Sequence, residues 1–220
     1  MEMQSKMEMQ TKKTMLILAG GKSKRFQHFN KCFITLNNKP LIQHAIDAIS
    51  GLTDEIIVAV RDKKQGEQIR NKIPNRFVLV FDSLNGFGPL AGILPGLECA
   101  SSPYSLVTGC DMPFINESVV KLLFEIASTG FDAVVPRWEN GMLEPLHAVY
   151  RKEPMLRAIK DAAGKGEGKI FNALSQLKNV YFLPVDRIRA IDSGLKTFTN
   201  INTPEELKKI GAIPELGAIK

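Results

Sequence analysis

The chain has 220 residues, with 29 Lys and Arg against 23 Asp and Glu and a formal net charge of +6; its sequence pI is near 9.2. That length fits one sizeable domain, which hides roughly 70% of its unfolded surface and needs no disulfide or structural metal to fold. Three cysteines without paired spacing, Cys32, Cys99 and Cys110, argue against a secreted disulfide scaffold or a zinc ribbon and fit a reducing cytoplasm, and no apolar run approaches the roughly 18 residues of a membrane span.

Residues 1–13 hold an imperfect duplication, MEMQSK then MEMQTK, without Gly, Pro or aromatic residues. They read as a flexible tail, and residues 14–220 as a single domain. From residue 14 short apolar runs alternate with amphipathic stretches of helical length. Residues 14–19 (TMLILA), 55–60 (EIIVAV), 77–81 (FVLVF), 104–108 (YSLVT) and 131–135 (FDAVV) are strand-length and apolar almost throughout, as parallel strands covered on both faces are. Between them, residues 41–49, 65–72, 89–100 and 115–128 carry helical spacing. Pro40 and Pro89 sit where a helix start tolerates proline, and Gly51 and Gly130 follow helix ends. Beyond Pro145 the spacing predicts a strand at 146–150, a helix at 154–163, a mobile loop at 164–169, a helix at 170–177 and a strand at 180–183. A closing strand and helix over 197–210 complete the chain. The alternation predicts an open, mostly parallel sheet with helices on both faces, in three α/β/α layers.

The basic excess is unevenly placed. Residues 1–14 carry +1, residues 15–150 balance to 0 and residues 151–220 carry +5. Within the balanced part, Lys22, Lys24, Arg25 and Lys31 fall in ten residues without an acid, which is either a local anion site or a solvated loop. With one Trp and three Tyr the chain lacks the aromatic interleaving of a nucleic-acid groove, so neither a nucleic-acid nor a membrane partner is expected.

In a doubly wound sheet ligands bind beyond the carboxyl ends of the strands. Three polar or glycine-rich segments fall there: residues 18–25 with Lys31, Asp82-Ser83 with Gly86 and Gly88, and Gly109-Cys110-Asp111-Met112-Pro113. Gly20 and Gly21 let backbone N–H groups approach a phosphate. A Walker A loop would need glycine where Leu16 stands, and the G-x-G-x-x-G dinucleotide pattern is also absent. Asp111 is placed either to hold Mg²⁺ against phosphates or to cap a helix or turn; Asp82 has the same readings and a third, accepting hydrogen bonds from a base or ribose. His147, in an apolar strand, reads as a half-buried residue with its hydrogen bonds met. No nucleophile–base arrangement is legible, which suits direct transfer between phosphates.

The loop Leu18-Ala19-Gly20-Gly21-x-Ser23-x-Arg25-Phe26 with Lys31 resembles the signature of nucleotidyltransferases with the nucleotide-diphospho-sugar transferase fold, a Rossmann-like architecture. Together with Asp82-Ser83, Gly88-Pro89-Leu90-Ala91-Gly92, residues 109–114, residues 144–150 (EPLHAVY) and residues 200–207 (NINTPEEL), the chain resembles molybdenum cofactor guanylyltransferases from about residue 15 to 210. The resemblance implies Mg²⁺-dependent transfer of GMP from GTP to the phosphate of molybdopterin, with release of pyrophosphate. It further implies nucleotide contacts from the backbone of Leu18, Ala19, Gly20 and Gly21 and from Lys31 and Asp82, a metal on Asp111, and Arg25 on the triphosphate. Asn200 and Asn202 line the site, and molybdenum-cofactor insertion proteins or molybdoenzyme chaperones are the implied protein partners. The sequence departs from the pattern at Gln27 and Asn30 and lacks the family's asparagine near residues 58–61. The basic last third, with Lys165, Lys169, Arg187 and Arg189, is either a site for a second anionic ligand, the acceptor phosphate, or a solvated basic surface. A cytidylyltransferase for the same cofactor, a sugar-phosphate nucleotidyltransferase and a non-catalytic nucleotide-binding adaptor are the competing readings.

Overall fold

The structure is a computed structural model that describes residues 12–20, 31–74, 76–84, 86–202 and 206. Thr14, Met15, Leu16 and Ile17 are all fully buried, so the first strand, β1 (Lys13–Leu18), occupies the middle of the sheet. A 3-10 turn (Lys31–Phe33) and a two-rung hairpin, β2 (Thr35–Leu36) with β3 (Lys39–Pro40), lead into α1 (Leu41–Ile49), β4 (Glu55–Val60), α2 (Lys63–Lys72) and β5 (Val78–Phe81). Then come α3 (Leu90–Cys99), β6 (Tyr104–Gly109), α4 (Glu117–Ser128), β7 (Ala133–Arg137) and β8 (His147–Arg151). The remainder is α5 (Lys152–Gly164), α6 (Ile170–Leu174), β9 (Val180–Pro184), α7 (Val185–Arg189) and a 3-10 turn (Lys196–Phe198).

Seven strands pair in the order β5-β4-β1-β6-β8-β7-β9. β1 pairs in parallel with both β4 and β6, β4 with β5, and β7 with β9. Only β8 runs against its neighbours β6 and β7. The period-2 alternation of strand side chains divides the core into two. Met15 and Ile17 of β1 and Ile56, Val58 and Val60 of β4 face α1, α2 and α4. Leu16, Ile57 and Ala59 face α3, α5 and α6. The chain is therefore a three-layer α/β/α fold.

Local chemistry fixes the element ends. The Asn116 side chain accepts from the N–H groups of Ser118 and Val119 at 2.9 and 3.2 Å and caps α4. Pro40 and Pro89 stand immediately before α1 and α3, as expected, and Gly130 takes φ +113° after α4, a conformation that favours glycine.

The strands and helices expected between residues 14 and 183 are present, with bounds shifted by up to a few residues. The β2–β3 hairpin was not expected; it turns on Asn37 and Asn38 at φ 51° and 60°, the left-handed pair that a tight hairpin demands. Helix α7 was also unexpected, being only five residues long. The helix expected over 170–177 ends at Leu174. Residues 196–198, expected to open a closing strand, form a 3-10 turn instead. The helix expected to follow lies outside the described residues apart from Glu206, and the tail expected over 1–13 lies outside them apart from its last two residues. No helix among the described residues is long and apolar enough to cross a membrane.

Candidate active site

From β1 the chain goes to β4 and outward to β5, then returns across the sheet to pair β6 on the other side of β1. The strand order reverses at β1, and the helices on either side diverge there, leaving a crevice beyond the strand ends. Its walls come from the segments after β1, β4, β5 and β6.

The mouth of the crevice is set by Ala19 and Gln65. The Ala19 N–H donates to the Ala59 carbonyl at 2.8 Å, and its own carbonyl accepts from Gln65 Nε2 at 2.7 Å. Gln65 Oε1 accepts from the Arg61 N–H at 2.8 Å, while the Gln65 N–H donates to Asp62 Oδ1 at the start of α2. Gln65 is 2% exposed, so one buried amide ties the exit of β1 to the exit of β4. Because the Leu18 carbonyl accepts from Cys110 N–H at 3.1 Å, the expected ligand contacts from Leu18 and Ala19 meet groups already engaged by protein. These two residues direct the chain toward Gly20.

Asp82 follows β5 and is held by its N–H on the Val60 carbonyl at 2.9 Å. Its carboxyl group lies between two glycines. A Cβ on Gly20 would overlap Asp82 Oδ2, and one on Gly92 would stand 3.2 Å from Asp82 Oδ1 and 2.9 Å from the Ala59 methyl. Gly20 is thus required for the close approach of the Asp82 carboxylate. Among the described residues the Asp82 carboxyl has no hydrogen-bond partner; burial raises its pKa above the usual aspartate value, and the Arg61 charge opposes that shift.

On the other side of β1, Asp111 follows β6. A Cβ on Gly109 would collide with its Oδ1, and its backbone carbonyl accepts from the Ile201 N–H at 2.9 Å. Lys31 Nζ stands 3.4 Å from Asp111 Oδ2 and donates to Asn202 Oδ1 at 2.6 Å. Residues 31, 111 and 202, remote in sequence, form one charged cluster. It is underpinned by two buried cysteines: Cys110 is hydrogen-bonded to Cys32, and that bond, with burial, pushes the Cys110 thiol pKa well up. Cys110 therefore stays protonated at neutral pH and supplies no nucleophile.

The other expected residues divide. Asn200 is exposed and its amide turns back to the Phe198 carbonyl at 3.5 Å, whereas Asn202 joins the cluster. Gly21 and Arg25 lie outside the described residues. The 164–169 loop backs onto the loop before α3, where a Cβ on Gly168 would stand 2.9 Å from Phe87 Cα. Lys165 and Lys169 thus belong to the β5 side of the sheet, because α5 packs beside α3. His147, expected to be half-buried with its bonds met, is fully buried: its Nε2 meets Thr197 Oγ1 at 3.0 Å, its Nδ1 has no partner among the described residues, and burial lowers its pKa to about 4. Gln65 was not foreseen. Its signal is a lone amide in line with Ile69 and Ile73 on the apolar stripe of α2.

A doubly wound sheet with a lysine, a carboxylate and a second half-buried carboxylate at its switch point defines a nucleotide-handling transferase rather than a P-loop or dinucleotide-binding protein. The MobA-like NTP transferase domain matches residues 15–180, and the chain belongs to that family. It is 39% identical over 211 residues to a probable molybdenum cofactor guanylyltransferase of Methanosarcina mazei, covering 94% of this chain and 93% of that protein. It is 33% identical over 206 residues to a molybdenum cofactor guanylyltransferase of Desulfosudis oleivorans, covering 94% and 98%. The crystal structure of molybdopterin-guanine dinucleotide biosynthesis protein A from Archaeoglobus fulgidus is similar with a TM-score of 0.76 and 30% identity, over 89% of this chain and 95% of that one.

Two outcomes test the site. Gln65→Leu leaves the buried Ala19 carbonyl without its partner, at about 1–3 kcal/mol, and removes the acceptor of the part-buried Arg61 N–H; chemical denaturation will show that loss, and the KM for nucleotide will rise. Nucleotide affinity that depends on the Asp82 carboxylate is full above its raised pKa and falls as pH drops through it, at a pH above the usual aspartate range. Binding titrations across pH will show that limb in the wild type and its absence in Asp82→Asn.

Proposed function

We propose that this chain transfers GMP from GTP to the phosphate of molybdopterin and releases pyrophosphate. The observation that carries the reading is the Lys31–Asp111–Asn202 cluster beyond β6, with the Asp82 carboxyl, unpartnered among the described residues, against Gly20 on the other side of β1. An oxygen of the acceptor phosphate attacks the α-phosphorus of GTP in line; the bond from that phosphorus to the β-phosphate oxygen breaks, and its electron pair leaves with pyrophosphate. No protein nucleophile is required. Both reactants are anions, so catalysis consists of positioning and charge neutralisation.

Lys31 supplies a mobile cation to the transferring phosphoryl group, and Arg25 acts on the triphosphate. Asp82 accepts hydrogen bonds from the nucleoside, with the backbone at Gly20 and Gly21 close to the phosphates, and Asn202 lines the opposite wall with Asn200 at its exposed rim. The donor set suits Mg²⁺: one carboxylate, Asp111, in a crevice open to substrate phosphates, with no group of three metal-ligating side chains among the described residues. A small hard cation that keeps several waters takes one or two protein carboxylates plus phosphate oxygens. When bound, Mg²⁺ neutralises developing charge on the triphosphate. The proposed setting is the cytoplasm, with cofactor-insertion proteins or molybdoenzyme chaperones receiving the product.

Asp111→Ala and Lys31→Ala will each lower turnover by roughly 10², as loss of one preorganised electrostatic group does, with unchanged thermal unfolding. Near-normal turnover by a folded Asp111→Ala protein would sink the assignment.

A further inference from the structure

The three charged groups of the crevice account for a nucleotide and a reacting phosphate but leave the rest of the acceptor unheld. β7 and β9 run in the same direction as β6, since β8 reverses the chain twice between β6 and β7. Their carboxyl ends, Arg137 and Pro184, therefore open on the same sheet edge as Asp111. There a cavity of about 560 Å³ is lined by Arg137, Trp138, Glu139, Val185, Asp186 and Arg189, among others. Its centre lies two to three strands from Asp111, roughly 12 Å along the edge at ~4.8 Å per strand.

The cavity has a fixed floor and unengaged charge. Trp138 is the only tryptophan of the chain. Its indole is pinned by Nε1 donating to Glu144 Oε1 at 2.8 Å and by the Phe198 ring at 5.6 Å; burial raises the Glu144 pKa. Arg189 is paired with Asp186 at 3.3 Å. Arg137 rests over the Phe182 ring at 5.5 Å, and among the described residues neither Arg137 nor Glu139 has an ion-pair partner. A rigid indole, a guanidinium and a carboxylate around one space suit a planar ring that carries acceptors on one edge and a donor pair on another. An aminopyrimidinone ring has that pattern.

The floor is also wired to the reaction centre. Phe198, against Trp138, lies three residues before Ile201, whose N–H holds the Asp111 carbonyl, and Asn202 holds Lys31. A ligand seated on Trp138 can thus present its far end to that cluster if it is elongated, ring at one end and phosphate at the other.

We propose that this cavity holds the aminopyrimidinone ring of the acceptor, with Trp138 under its face, Glu139 on its donor edge and Arg137 on its acceptor edge. The assignment rests on the guanylyl-transfer reading above. Guanine carries the same aminopyrimidinone edge, but the Asp82 side of the crevice lies at the opposite end of the sheet, so the cavity takes the pterin.

Trp138 reports on its own pocket. Titrating the full chain with 6-hydroxymethylpterin, a ring without phosphate, will quench Trp138 emission saturably, and Mg²⁺–GTP will neither quench it nor displace the pterin. Arg137 and Glu139 are exposed, so Arg137→Ala and Glu139→Ala will keep the wild-type unfolding midpoint. Each will weaken pterin binding and raise the KM for molybdopterin about tenfold, the scale of one lost charge-assisted hydrogen bond, leaving the KM for GTP within about twofold. Displacement of the pterin by GTP, or wild-type pterin binding and acceptor KM in both folded variants, overturns the assignment. Saturable pterin binding in a wild-type protein that transfers no guanylyl group supports the cavity assignment and refutes the activity.

Discussion

The reversal of strand order at β1 is the constraint on which everything else depends. A strand with four successive fully buried residues, paired in parallel on both sides, must sit mid-sheet, and its chain must leave at an edge where helices from the two faces part. That brings the Asp82 carboxyl against Gly20 and puts Asp111 at the end of the neighbouring strand β6, although residues 20, 82 and 111 are far apart in sequence. The glycines beside them follow from the same crowding. Gly20 and Gly92 admit the Asp82 carboxyl, and Gly109 admits that of Asp111. A methyl group at any of the three would press on a carboxylate that the site needs in place.

The electrostatics follow from that geometry. Two carboxylates stand at the crevice, but only one is paired. Asp111 has the Lys31 ammonium beside it. Asp82 is half-buried and, among the described residues, its carboxyl has no hydrogen-bond partner, so its pKa is raised. The Gln65 amide holds the backbone between them without adding charge.

Much of this was legible in the sequence because apolar runs of strand length and amphipathic stretches of helix length alternate cleanly, and because glycine-rich and acidic segments fall at strand ends. Lys31, Asp111 and Asn202, named from three separate motifs, meet in one cluster. The direction of β8 was not legible, since an apolar strand looks alike in either sense. Nor was the role of Gln65, whose partners are backbone groups 46 residues away and nearby. Lys165 and Lys169 show the reverse failure: a run of charge is readable, but which end of the sheet it decorates depends on the packing of α5 against α3. The cavity at Trp138 is assembled from the ends of β7 and β9, and no linear motif records it.

The central claim is transfer of a guanylyl group to a pterin phosphate, and acceptor-dependent release of pyrophosphate measures it most directly. With Mg²⁺ and purified protein, pyrophosphate should appear from GTP only when molybdopterin is present, and not from CTP under the same conditions. Release from CTP in preference to GTP, or GTP binding without any release at saturating acceptor, would contradict the account.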